Sequence, residues 1–140
     1  MRDIRNEFGP YELALRMKAL GFDEPCFGWY EHNSNFYYCY QEGLVPPSPS
    51  KKLIKGAVKA PTFQQAFRWF RDNYGLIGDP IPLSTSKNGP TTHYGWNICS
   101  SIDAGVDWEN DDDGFKTYEE AQLACLEELI DIVEQKEKEL

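Results

Sequence analysis

The sequence predicts an α+β protein, an antiparallel sheet of about four strands with three helices on one face. Three observations carry this. Three segments repeat their apolar residues at helical spacing, each marked by a capping threonine or a helix-ending glycine. The stretches between them are rich in aromatic residues and broken by polar turn clusters, the pattern of hairpins. Hydrophobic residues make up 41% of the 140-residue chain and aromatics 14%. That is enough for a single domain, 1–140, to bury about two-thirds of its unfolded surface.

The first helix opens at Pro10, a residue suited to a first helical position, and carries the stripe Leu13, Met17 and Leu20 until Gly21 supplies a left-handed stop. "CFGWYE" and "FYYCYQE" flank the polar turn "HNSN" and predict a hairpin. The second helix follows the capping box Thr62/Gln65. It aligns Phe63, Ala66, Phe67, Phe70 and Tyr74 on one face and ends at Gly75. "LIGDPIPLS" and "THYGWNICSSI" flank a turn at Asn88-Gly89, and Pro80 and Pro82 demote the first to an edge strand or an irregular extended segment. The closing helix opens with the box Thr117/Glu120 and buries Tyr118, Ala121, Cys125, Leu129, Ile132 and Val133. Each half thus reads as a helix ended by glycine and then two extended segments, a pseudo-repeat αββ-αββ-α. Between the halves, the Pro- and Lys-rich stretch 43–61 reads as a long mobile loop.

The net charge of −9 is unevenly spread: residues 1–75 hold 10 basic and 8 acidic side chains, residues 76–140 only 4 basic and 15 acidic ones. Such a surface repels nucleic acid over much of its area, while a local basic patch remains able to bind phosphate. The apolar runs are too short for a membrane span, and the charged start "MRDIRNEFGP" lacks the apolar stretch of an export signal. The four cysteines, Cys26, Cys39, Cys99 and Cys125, form no C-x-x-C pair and are expected to be reduced thiols in a cytoplasmic protein.

The pieces "LALRMKALGFDEPCFGWY", "TFQQAFRWFRDNYGL" and "FKTYEEAQLACLEELIDIVEQ" resemble a family of small uncharacterised proteins carried by phages and mobile elements of gut Bacteroidota. The likeness covers most of the chain and is most specific in the closing helix. It implies an accessory gene product working inside a bacterial host cell, and it carries over no catalytic residues.

Four places invite a functional reading. Lys51, Lys52, Lys55 and Lys59, with Arg68 and Arg71 on the second helix, have the charge to gather a phosphate, and Trp29, Tyr37, Tyr38 and Tyr40 the rings to stack a base. The plainer alternative is a solvated loop beside core aromatics. Trp69 lies off the apolar stripe of its helix, as a partner-binding hot spot would, or packs beneath the proline loop. Leu123, Leu126 and Ile130 widen the apolar arc of the closing helix, which suits either self-association as a homodimer or a helix sunk between two elements. Finally, "ENDDDGFKTYEE" sets Glu109, Asp111, Asp113, the Phe115 carbonyl, Thr117 and Glu120 at the ligand spacing of a calcium loop, with Gly114 in the glycine slot. Glutamate at the first position, Lys116 in an apolar slot and the lack of a preceding helix favour a solvated acidic cap over a metal site.

For catalysis, Cys39 or Cys26 beside His93 or His32, and Asp103 and Asp107 with Glu109, have suitable chemistry but no surrounding motif. No phosphate loop, nucleophile elbow or zinc-binding pattern occurs, so no cofactor is expected. The sequence therefore points to a non-enzymatic intracellular binding protein that sequesters or blocks a host protein or a small anionic, nucleotide-like ligand. A small enzyme with a site invisible in sequence and a homo-oligomeric accessory protein are the alternatives.

Overall fold

The computed structural model describes residues 3–32, 34–38, 56–83, 93–100, 107–110 and 114–139. They form two compact units, Met1–Ala66 and Phe67–Leu140, each built on a three-stranded antiparallel sheet.

In the first unit a 3-10 turn, Ile4–Glu7, precedes helix α1, Tyr11–Ala19. Pro10 is the residue before the helix rather than its first member, its ψ of 160° still extended. At the other end the amide of Gly21, at φ 103°, donates to the Lys18 carbonyl, and the amide of Phe22 donates to that of Met17, both at 3.0 Å. This paired closure needs a left-handed residue, which is why glycine stands there. Strands β1 (Gly28–Glu31) and β2 (Asn35–Tyr38) form the expected hairpin, with Glu31 opposite Asn35 and His32 taking a left-handed φ of 50° in the turn. Strand β3, Val58–Ala60, pairs on the other side of β1, giving the order β2-β1-β3. The stretch expected as a mobile loop over 43–61 therefore contains a core strand at its end; residues 43–55 lie outside the described ones. Val58 and Ala60 are buried with Phe8, Ala14 and Tyr30, and Tyr11, Phe27 and Phe36 pack against them. The one polar group in that cluster, the Tyr30 hydroxyl, donates to the Gly9 carbonyl at 2.7 Å, so its burial leaves no unmet hydrogen bond.

Helix α2, Phe63–Tyr74, runs from the first unit into the second. Thr62 Oγ1 accepts from the Gln65 amide at 3.1 Å, one half of the expected capping box. The Gln65 side-chain Nε2 also donates to Glu24 Oε1 and to the Pro25 carbonyl. The residue thus serves tertiary structure as well as its helix.

The second unit orders its strands β4 (Leu76–Leu83), β5 (His93–Ser100) and β6 (Asp107–Glu109) as β4-β5-β6. Pro80 and Pro82 are paired opposite Trp96 and Tyr94 within a full eight-residue strand. A strand's N–H groups alternate sides, so two prolines two residues apart both lose a donor on the same edge. At the sheet's margin β4 has one edge that β5 does not use. Helix α3, Tyr118–Lys138, is capped by Thr117, whose Oγ1 accepts from the Glu120 amide at 3.1 Å, and packs on β4 and β5.

Several expectations change. The sheet of about four strands is instead two sheets of three, and helices α1 and α3 pack on different sheets. The two sheets are also wired differently: the central strand is the first in chain order in one and the second in the other, a departure from a strict pseudo-repeat. Tyr118, expected in the core, is 43% exposed and meets Tyr94 edge-on, while Leu126 and Ile130 are fully buried.

A Cβ added at Gly78 would stand 3.0 Å from both Cys125 Sγ and Leu129 Cδ1, so α3 seats where β4 lacks a side chain. Gly78→Val should destabilise the protein by about 2 kcal/mol in urea unfolding through overpacking. Adding Cys125→Ala to that variant should recover part of the loss, a non-additivity expected only of groups in contact.

Candidate functional site

The solvent-facing side of the first sheet gathers several residues singled out in the sequence. Side chains alternate along a strand, so while Tyr30, Val58 and Ala60 face the core, Trp29, Tyr37 and Lys59 form one row across the three strands, with Trp29 opposite both of the others. The Trp29 and Tyr37 rings are near parallel, 20° between planes and 6.1 Å between centroids, and Tyr37 is 42% exposed. Trp29 Nε1 donates to Glu31 Oε1 at 2.9 Å, which fixes the indole on the sheet. Tyr38 points the other way, stacked at 21° on Phe36.

Of the basic group, Lys59 reaches the aromatic row, but its ammonium is committed. It bonds Asp23 Oδ1 at 2.8 Å and the Asp23 carbonyl at 3.2 Å. That hydrogen bond and the charge of Lys59 hold the Asp23 carboxyl below the usual range, with Lys18 adding to the effect. With Glu31 on the same face, the row offers an anion little uncompensated positive charge. Lys51, Lys52, Lys55 and Tyr40 lie outside the described residues. Arg68 and Arg71 are exposed on the part of α2 that belongs to the second unit, and Arg71 Nε lies 3.5 Å from Asp72 Oδ1.

The proposed interface residues are mostly core. Trp69 is buried, edge-on to Phe70 at 5.0 Å and to Tyr74 at 5.5 Å. Its burial answers to the packed alternative rather than to an exposed hot spot. Leu126 and Ile130 are buried in the wide apolar arc of α3, and Leu123 alone of that flank is exposed.

The described residues around the acidic turn are engaged by the fold. Glu109 ends β6 opposite Asn97. Asn110 Oδ1 accepts the backbone N–H of Trp96 at 3.1 Å, in space that a side chain at Gly95 would fill. Gly114 takes φ 95°, where an added Cβ would stand 2.6 Å from the Tyr94 carbonyl oxygen. Phe115 then exchanges two backbone hydrogen bonds with Tyr94, both 2.7 Å. The Phe115 carbonyl and the Thr117 hydroxyl, two oxygens of the calcium-loop spacing, thus already serve Tyr94 and the Glu120 amide. Asp111 and Asp113 lie outside the described residues, and among the described ones no three His, Cys, Asp or Glu side chains converge as a metal site. The sequence carried no sign that Asn110 and Gly95 work together.

Against this anchored segment lies a cleft of about 260 Å³, lined by Trp96, Asn110 and Phe115 on one side and by Ala124, Glu127, Glu128 and Asp131 of α3 on the other. Sequence reading singled out none of these residues for a site, except Phe115 as a carbonyl. The spacing 124, 127, 128, 131 is one stripe of a helix.

The thiols of Cys26 and Cys125 are poor nucleophiles. Burial pushes both Cys26 and Cys125 up to about 12, and the Cys26 thiol donates to the Glu24 carbonyl at 3.4 Å. Cys99 is exposed, and Cys39 lies outside the described residues. A disulfide reagent should therefore leave at least two of the four thiols unmodified in the native protein and reach all four on denaturation. The same burial sets an alkaline limit. Unfolded thiols ionise near their ordinary 9.0 while the folded ones hold their protons to about 12. Stability is then complete below pH 9 and falls between these values, by at most about 1.4 kcal/mol per pH unit for each thiol. Buried Tyr30 and half-buried Tyr74, both raised chiefly by desolvation, act in the same direction above pH 10. Cys26→Ala and Cys125→Ala should each flatten the fall in unfolding free energy measured from pH 8 to 11.

Comparison with family models, with curated proteins and with solved structures finds no match to the chain.

Proposed function

We propose that the protein is a non-catalytic binding protein that captures a protein partner through the Trp29–Tyr37 face of its first sheet, blocking or sequestering that partner. The observation that carries this is a pair of near-parallel rings held on the solvent side of a sheet whose other side already fills the core. An aromatic row fixed by the strands loses little conformational entropy on binding, and such residues dominate contact energies in interfaces. A protein target is favoured over the anionic ligand because Lys59 is already neutralised by Asp23 and because Glu31 and Asp23 share the face. Binding is favoured over catalysis because burial denies Cys26 its thiolate. The resemblance to proteins of phages and mobile elements makes a bacterial host protein the natural target.

The test uses the intact protein as bait in a bacterial host lysate, with captured proteins identified by mass spectrometry. Tyr37→Ala should lower capture of a specific partner at least tenfold, the scale of a lost aromatic hot spot, with a melting temperature within a few degrees of wild type. Tyr118→Ala, an exposed tyrosine of the second unit, should leave capture unchanged. Equal capture by the wild-type and Tyr37→Ala proteins would sink the reading, and catalytic turnover of a co-purifying small molecule would replace it with an enzyme.

A further inference from the structure

The Trp29–Tyr37 face can be covered without loss only if its polar groups stay paired when water leaves. A buried donor with no acceptor is costly, and an exposed indole brings one such donor, its single N–H.

The chain supplies the acceptor itself. Glu31 follows Trp29 by two residues on β1, so both side chains rise from the same side of the sheet. Its Oε1 accepts from Trp29 Nε1 at 2.9 Å. On one neighbouring strand Lys59, opposite Trp29, gives its ammonium to the Asp23 carboxylate at 2.8 Å and the Asp23 carbonyl at 3.2 Å. On the other, the Tyr37 ring lies within 20° of the indole plane. The indole is thus tied along its own strand and flanked in the row on both sides. Trp29 and Glu31 are each half-buried before any partner arrives, and a side chain ordered beforehand loses less entropy on binding.

The same hydrogen bond bears on what the face selects. The indole has one proton to give, and Glu31 holds it. A partner group offering a carbonyl or carboxylate at that point would have to displace Glu31, whereas a group offering carbon surface would not. Covering the ring with apolar side chains leaves the N–H paired, so the penalty that normally rejects an apolar contact on a polar group is absent.

Given the reading of this face as a capture surface, we infer that Glu31 is its positioning and specificity-determining residue. By taking the Trp29 N–H it holds the indole in place, and it fits the row to an apolar side-chain cluster of a protein partner rather than to an acceptor-rich one.

Two measurements on the full chain test this. In the first, the Trp29 indole N–H, one of four in the chain, is assigned by its absence from Trp29→Phe and followed by NMR relaxation. Its order parameter should fall from about 0.85 in the wild type to below about 0.6 in Glu31→Ala, from the rigid to the flexible end of the scale. Glu31→Gln should restore it, since an amide oxygen accepts the same hydrogen bond. In the second, a displayed library of random peptides is panned on the wild-type protein. Peptides whose capture falls at least tenfold in Tyr37→Ala are kept as ligands of the face. These should be rich in apolar residues, and Glu31→Ala should weaken them about tenfold, Glu31→Gln less than about twofold. An unchanged order parameter in Glu31→Ala overturns the inference, as does equal weakening by the Ala and Gln variants, which assigns the effect to charge. Tyr37-dependent peptides that are acceptor-rich, or that bind Glu31→Ala as well as wild type, overturn it while leaving the face a capture surface. A library with no Tyr37-dependent peptide removes both.

Discussion

A β-sheet can receive a bulky group against its backbone only where no Cβ stands in the way, and that constraint organises both units. In the first, Gly28 of β1 leaves room for the rings of Phe8 and Phe36, which an added Cβ would meet at 2.9 Å. In the second, Gly78 of β4 receives Cys125 and Leu129 of α3. Each glycine forgoes some backbone stability, about 0.5–1 kcal/mol relative to alanine, and in return the sheet is covered at contact distance. The seat at Gly78 helps explain how α3 buries seven side chains and keeps so wide an apolar arc dry.

What the sequence disclosed and what it hid divide along the range of the interaction. Helix ends are decided within a turn of chain, and Gly21, Thr62 and Thr117 each act as their local chemistry predicts. The hairpin of β1 and β2 is local too. Strand pairing is not. Alternation says that a segment is a strand but does not name its neighbour, so a short piece such as Val58–Ala60, three residues after a lysine-rich stretch, was read as loop. Trp69, Leu126 and Ile130 were left between core and interface for a related reason: a helical wheel shows where apolar residues lie but not how many faces are covered. The candidate face was half legible. Trp29 and Tyr37 were visible as aromatics and Lys59 as a charge; the register that aligns them, and the Asp23 carboxylate that cancels the charge, depend on contacts far apart in the chain.

The acidic half of the chain shows how one motif can answer to two descriptions. Alternating oxygens with a glycine between them fit a calcium loop, and they fit equally a strand end, a left-handed crossing and a helix cap in succession. Among the described residues the hydrogen bonds follow the second description. Asn110 on Trp96, Phe115 on Tyr94 and Thr117 on Glu120 are three consecutive commitments that carry the chain from β6 toward α3. Glu119 and Glu120 then lie in the first turn of α3 and Lys136 and Lys138 in its last, each sign at the end of the helix dipole that favours it.

Pro80 and Pro82 have a consequence beyond the strand that contains them. An open sheet margin is a template on which another polypeptide can add itself, and repeated addition leads to fibres. Both prolines withhold donors along the margin of β4 that β5 does not use. An incoming chain would find acceptors without the N–H groups that should alternate with them, and its growth there would stall. Such an edge works against the strand addition that seeds aggregation.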